Sequence, residues 1–391
     1  LNSYAAGGVL RAGPSGGGVL RLADGCTFTS DFATTLQGSL ELLSGAVITH
    51  TANGSSKVYG IDLTVSGAVT NRAGGSISAK GRGHATNTGP GKPNTGTENR
   101  GGSHAGIANK ESGDICYGSP TCPVTMGSGG MSQPGGGTIR LMIEGELVND
   151  GSIDAEGNSG SCHAGAGGSV WITAGSIAGA GRISANGGSV TGYQTPGGGG
   201  RVAVWLTDPD ADLSDFDESR ITACSGAQGT TLYSGAGTVY LKTGAHAADE
   251  GTLVIANSNS TATAKYTEIG SDMGTVRVGS LVIRDKGRLR LRGGHRLEAG
   301  GSWSNAALFT AESNSDVVLW STNTAAVTGT NAFHTLACTA GGKTIRFGTA
   351  GSRLSILPGG KLTLNGEEGN LLTLEGDAAD TDTTSWTRRW P

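Results

Sequence analysis

Net charge is the first thing this chain lacks. Its 28 basic and 32 acidic residues leave a formal charge of −4, without the cationic excess that follows a phosphate backbone. Nucleic acid is therefore not an expected partner. Aromatic residues make up 5% of the sequence and hydrophobic residues 36%, which points away from a thick globular core and toward thin layers packed in rows. No apolar run approaches the roughly 18 residues of a spanning helix, so no membrane segment is expected. Six cysteines occur without a Cys-x-x-Cys pair, and the thiols alone do not suggest zinc. The first residues carry no basic and apolar leader, and the chain reads as an excised module or mature fragment of a larger protein.

Glycine is what the chain has instead. It supplies 71 of 391 residues, against a usual share of about 7%, yet no strict Gly-x-x period indicates collagen. Three segments share the pattern Gly-x-Ile-[Ser/Asp]-Ala-x-Gly: Gly75–Gly81, Gly151–Gly157 and Gly181–Gly187. Beside them run short alternating strands, Thr138–Ile143, Ser169–Thr173 and Arg201–Leu206, bounded by glycines. Strands of this length, recurring with no helical period between them, predict an all-β chain wound as a parallel β-helix rather than a sandwich. Residues 1–245 form the Gly-rich β-helix in this reading. Residues 246–391 form continuing or capping coils, or a small separate β-domain.

The first two repeats lie 76 residues apart and the last two 30, so the longer interval holds either extra turns or an inserted loop. A polar tract over 82–136 is the expected insertion, lying along the side of the coils as an ordered excursion. Cys116 and Cys122 bracket a turn-rich stretch whose ends are placed to close into a disulfide, with two thiols as the alternative.

Gly101–Gly106 with its histidine, its echo at Gly160–Gly165 and the run Gly197–Ala203 resemble Gly-rich bacterial β-helix modules. Among carbohydrate-active proteins the likeness is to the right-handed β-helical xylan-binding modules of carbohydrate-binding module family 89, over roughly residues 60–245. That resemblance implies a single-stranded right-handed parallel β-helix and xylan binding. It transfers no ligand-contacting residue by motif.

Alternation supplies candidate ligand contacts independently. With Val170, Ile172, Val202, Val204 and Val239 inward, Trp171, Trp205 and Tyr240 point outward, and Arg140 joins them on one face. Exposed rings stack on the C–H faces of sugars; the competing expectation is that the excursion buries them. Tyr117 and His104 in the excursion are further candidates. His104, His163 and His84 suit either a metal or hydrogen bonds that pin buried loop backbone. Asp208, Asp210 and Asp212, in an acidic stretch reaching Glu218, are calcium candidates, although the glycine and terminal glutamate of an EF-hand loop are missing. Arg288, Arg290 and Arg292 alternate with leucines and form a basic strip suited to uronates, or a solubilising outer face.

Glycoside hydrolysis needs two carboxyl groups facing one bond, and the coil region has few acids. The leading expectation is thus a non-catalytic module with no cofactor beyond calcium, binding a plant cell-wall polysaccharide, most simply xylan. It would be secreted and covalently linked to a catalytic module. A β-helical polysaccharide lyase or hydrolase and a surface adhesin or rod are the alternatives, since fold alone does not choose.

Overall fold

The computed structural model describes residues 8–12, 17–93, 101–108, 116–192, 194–227, 234–258, 265–348 and 352–376. Among these, secondary structure is nearly all β, with two single-turn 3-10 segments at Glu218–Arg220 and Ser271–Met273. The sheets are built overwhelmingly from parallel pairs.

Up to Lys242 the chain visits three sheets in rotation. The first sheet takes Gly8–Arg11, Thr34–Gln37, Ile61–Val65, Thr138–Ile143, Ser169–Ala174, Arg201–Leu206 and Thr238–Lys242, each parallel to its predecessor. The second takes strands such as Ser39–Leu42, Val69–Asn71 and Leu147–Asn149, and the third Val47–Thr49, Ser76–Ser78, Ser152–Asp154 and Arg182–Ser184. Register falls where the repeats place it. Ile48, Ile77, Ile153, Ile183 and Ile221 are successive Cα partners, and all are buried. Because Ile77 pairs directly with Ile153, the 76-residue interval holds an inserted segment ahead of one regular circuit and not extra turns. One apolar cluster, from Ala12 to Val254, runs between the three sheets.

Glycine has a second use beside this core. Segments of the excursion lie against the Gly-rich stretches that precede first-sheet strands, joined by main-chain bonds such as Gly136 N to Ala166 O (2.8 Å) and Gly198 N to Gly102 O (3.0 Å). Gly106 N to Gly199 O and Gly199 N to Gly235 O, both 3.0 Å, extend the same network. The packing is backbone on backbone. A Cβ on Gly136 would sit 2.0 Å from the Ala155 carbonyl oxygen, and one on Gly198 2.0 Å from that of Gly106. Only a residue without a side chain permits that approach.

At Lys242 the direction changes. Thr238–Lys242 pairs antiparallel with Thr252–Ala256, opposing Tyr240 to Leu253 and Val239 to Val254. Parallel pairing then resumes from Thr252–Ala256 through Ser280–Arg284, Trp303–Asn305 and the start of Ala325–Cys338. Two further series flank it, Thr267–Ile269 with Arg288–Leu291 and Leu308–Ala311, and Val276–Val278 with Arg296–Ala299 and Asp316–Leu319. Cross-strand partners share a face, so Tyr240 and Leu253 look the same way. That way is outward from the first core. Tyr240, Ala203, Leu253 and Ile255 accordingly belong to a second apolar cluster with Leu281, Trp303 and Phe333, while Val254 stays with the first.

Candidate functional site

The outer face of the first sheet carries the predicted aromatic set, in a different arrangement. Arg140, Trp171, Ala203 and Tyr240 are register partners; Trp205 stands two residues further along, opposite Thr173 and Lys242. Side chains two apart on a strand share a face, so the rings still meet. Trp171 and Trp205 lie 5.8 Å apart between centroids, and Trp205 and Tyr240 6.2 Å. The Arg140 guanidinium sits 5.3 Å from the Trp171 ring centre and pairs with Asp62 at 2.9 Å.

These rings are not an open platform. Tyr240 is buried in the second core, its hydroxyl accepts the Gly251 N–H at 3.0 Å, and burial pushes its phenol up to about 12. Trp171 and Trp205 are half-buried against the same core, and Trp205 Nε1 donates to the Thr121 carbonyl at 3.1 Å. The excursion roofs the middle of the face. Its path is fixed by Arg201, wholly buried, whose Nε and Nη2 donate to the Tyr117 carbonyl at 2.9 and 2.8 Å, and by Ser169 Oγ donating to the Thr125 carbonyl at 2.6 Å.

Tyr117 and His104 are part of that anchorage and unavailable to a ligand. The Tyr117 hydroxyl contacts Met126 O and Ser128 Oγ, each at 2.7 Å, and its ring lies 4.7 Å from the His104 imidazole. His104 Nδ1 lies 2.8 Å from the Gly167 carbonyl, which can only accept, so Nδ1 carries the proton and Nε2 takes the Thr125 hydroxyl at 2.8 Å. Burial keeps the imidazole neutral, with its pKa driven down to about 3. Pinning of loop backbone, rather than metal binding, is what this histidine does.

Cys116 and Cys122 form no disulfide. The staple's work is done by Arg201, Trp205 and Ser169, because Cys116 is buried at the Arg201 end of the excursion while Cys122 lies beside Thr121 above Trp205. Asp208, Asp210 and Asp212 are exposed and converge on no ion site. Asp212 takes the Ser214 N–H at 2.8 Å and Asp217 that of Ser219 at 2.9 Å, each closing a short turn, and Glu218 pairs with Arg284 at 3.0 Å. Among the described residues no three His, Cys, Asp or Glu side chains are grouped to hold a metal.

The basic strip is engaged within the fold, by ion pairs at Arg290 and Arg292 and by an aromatic ring at Arg288. Arg290 and Arg292 each reach Glu268 at 3.2 Å, Arg292 also reaches Glu312 at 3.4 Å, and Arg288 and Arg290 stack on Tyr266.

Among the described residues, the aromatic face opens at two ends. At one, a cleft of about 270 Å³ is lined by Asp31, Phe32, Lys57, Tyr59, Asp62, Val124 and Arg140, among others. Phe32 is 41% exposed and meets Tyr59 edge-on at 6.2 Å. Lys57 Nζ donates to the Val124 carbonyl at 2.8 Å; Asp31 accepts from Thr51 N and Oγ1 at 2.6 and 2.9 Å. Sequence reasoning passed over Phe32 and Tyr59. A signal existed, since each stands two residues before a first-sheet strand, at Thr34 and Ile61. At the other end a cleft of about 320 Å³ is lined by Ser119, Thr121, Asp249, Met273, Arg277 and Glu298, among others. No protein-family model, curated protein or solved structure matches this chain.

Proposed function

We propose that the protein is a non-catalytic carbohydrate-binding module whose glycan site is the cleft at Phe32 and Tyr59. One observation carries the reading: the cleft joins two aromatic rings, Phe32 exposed and Tyr59 half-buried, to a balanced set of charges, Asp31 and Asp62 against Lys57 and Arg140. Rings supply stacking area for sugar C–H faces, and the paired charges supply hydroxyl partners without a net field. A neutral polymer suits such a cleft better than a polyuronate, and the resemblance to xylan-binding modules makes xylan the first ligand to test. Secretion and linkage to a catalytic module follow from the ligand, since a plant cell-wall polymer is met outside the cell; no disulfide supports them.

The architecture we infer is a single-stranded right-handed parallel β-helix, with the tract over 82–136 as its excursion. Rotation of the chain through three sheets, returning each time one strand further in register, supports it.

Affinity electrophoresis against xylan, glucan, mannan and pectin tests the function. Xylan is expected to retard the protein at low and high salt alike, and Tyr59→Ala to weaken binding by roughly 1–3 kcal/mol, by analogy with aromatic hot spots and base stacking. Retardation by none of the four, or retardation indifferent to Tyr59→Ala, would overturn the reading.

A second reading has its own observation. Lys57 has its pKa lowered by burial, opposed by the Asp62 charge, and it shares the cleft with Arg140. A lysine held more readily as its neutral amine, able to accept a proton, beside a cation that neutralises a uronate is the equipment of a polysaccharide lyase. Unsaturated products from pectin or another polyuronate, lost in Lys57→Ala, would establish it.

A further inference from the structure

The roof over the aromatic face is one short stretch of chain, and both clefts abut it. Pro123 and Val124 line the first cleft; Ser119, Pro120 and Thr121 line the second. A span from Ser119 to Val124 covers on the order of 20 Å even when fully extended. The two openings therefore lie within reach of a short oligosaccharide.

The second cleft has the chemistry of a sugar subsite. Its volume of about 320 Å³ matches the first, near the lower bound of ligand sites. Asp249 and Glu298 offer acceptors, and Arg277 offers donors from a fixed position. That guanidinium lies 3.7 Å from the centre of the Trp320 ring and 3.7 Å from Glu298, while Arg296 holds the same carboxylate at 2.7 Å. A preorganised guanidinium loses little freedom on meeting a hydroxyl pair. The cleft is also composite: Ser119–Thr121 come from the excursion, and Met273–Arg277 and Glu298 from the region beyond the reversal.

We propose that one polysaccharide chain occupies both clefts, running beside the Ser119–Val124 roof, so that the second cleft is a distal subsite serving long chains only. The proposal rests on the reading of the first cleft as a glycan site. Its consequence is stepwise affinity: once a ligand spans the roof, the second contact is intramolecular and gains from effective concentration.

Calorimetry with linear xylo-oligosaccharides of two to about ten residues tests it. Affinity is expected to level off for short oligomers and then rise again by at least about tenfold once the roof is spanned. Arg277→Ala and, separately, Asp249→Asn should remove that second rise and leave short-oligomer affinity unchanged. Asp249 has φ of 64°, a conformation asparagine tolerates, so Asp249→Asn guards against a merely structural loss in Arg277→Ala. Tyr59→Ala should weaken every length. A single plateau, or a second rise that survives both distal variants, overturns the proposal while the first cleft stands. Absence of binding at every length overturns the first-cleft reading itself.

Discussion

The two regions either side of Lys242 use the same parallel pairing with different interiors. The earlier one packs Ile, Val, Leu and Ala in register, with glycine backbone beside it. The later one packs large rings: Trp303, Phe309 and Phe333 have centroids 4.9, 5.3 and 5.4 Å apart, and Trp303 Nε1 donates to Asn331 at 2.8 Å. Buried charge differs too. Around Glu268 two arginines and a tyrosine ring form a compact network, whereas Arg201 spends its guanidinium on carbonyl and hydroxyl oxygens. Narrow rungs can thus be stabilised by side-chain volume or by main-chain proximity, and each solution fails in its own way.

The largest effect is expected in the later region. Trp303 is 1% exposed, so Trp303→Ala removes a full ring from the cluster and should cost about 3–5 kcal/mol in urea unfolding. In the earlier region the sensitive change is an addition. Gly198→Ala drives a methyl into the Gly106 carbonyl, and a loss of roughly 1–3 kcal/mol or more is expected, because backbone cannot step aside. Gly270→Ala is its counterpart beyond the reversal, where the nearest atom is the flexible Arg292 Cγ at 3.2 Å. That change should alter stability by well under about 1 kcal/mol. Equal losses at the two glycines would erase the contrast.

Acid should separate the regions further. Burial lowers the pKa of His50 to about 4 and that of His104 to about 3, from an ordinary 6.5, and lowers that of His84 in the same direction. In the fold the His50 and His104 rings stay neutral and that of His84 is biased the same way, while the unfolded chain takes up protons below pH 6.5. Their contribution is therefore intact above pH 6.5 and declines as pH falls toward 4, with a slope of at most about 1.4 kcal/mol per pH unit for each histidine. Hydrogen exchange at pH 5 should show the excursion and the strands beside it loosening before the region beyond Lys242. The smallest effect concerns the thiols. Reductant, or Cys122→Ser, should leave Tm unchanged; a clear drop on reduction would restore the staple.

Much of the first region was legible because its signals are local. Ile77, Ile153 and Ile183 sit in a repeated frame, and equal frames stack in register since any slip would turn the isoleucines outward. Alternation likewise placed Trp171 and Trp205 outward, which is correct with respect to the first core. What alternation lacks is the other side of the sheet. It cannot say that the chain reverses between Lys242 and Thr252, and so it left Tyr240 on a surface that the second core covers.

The candidate site divides along the same line. That glycine would be structural followed from its abundance, and the polar composition of 82–136 suggested an insertion where the repeat spacing left extra turns equally open. Where that tract comes to rest was decided by contacts distant in sequence. Arg201 reaches Tyr117, Trp205 reaches Thr121 and Lys57 reaches Val124, and together they turned a predicted platform into a roofed face open at its ends. Periodicity specifies which way each side chain points, because it is fixed by the pleat of a single strand. What a side chain then meets depends on which remote segment packs there, and only the assembled fold settles that.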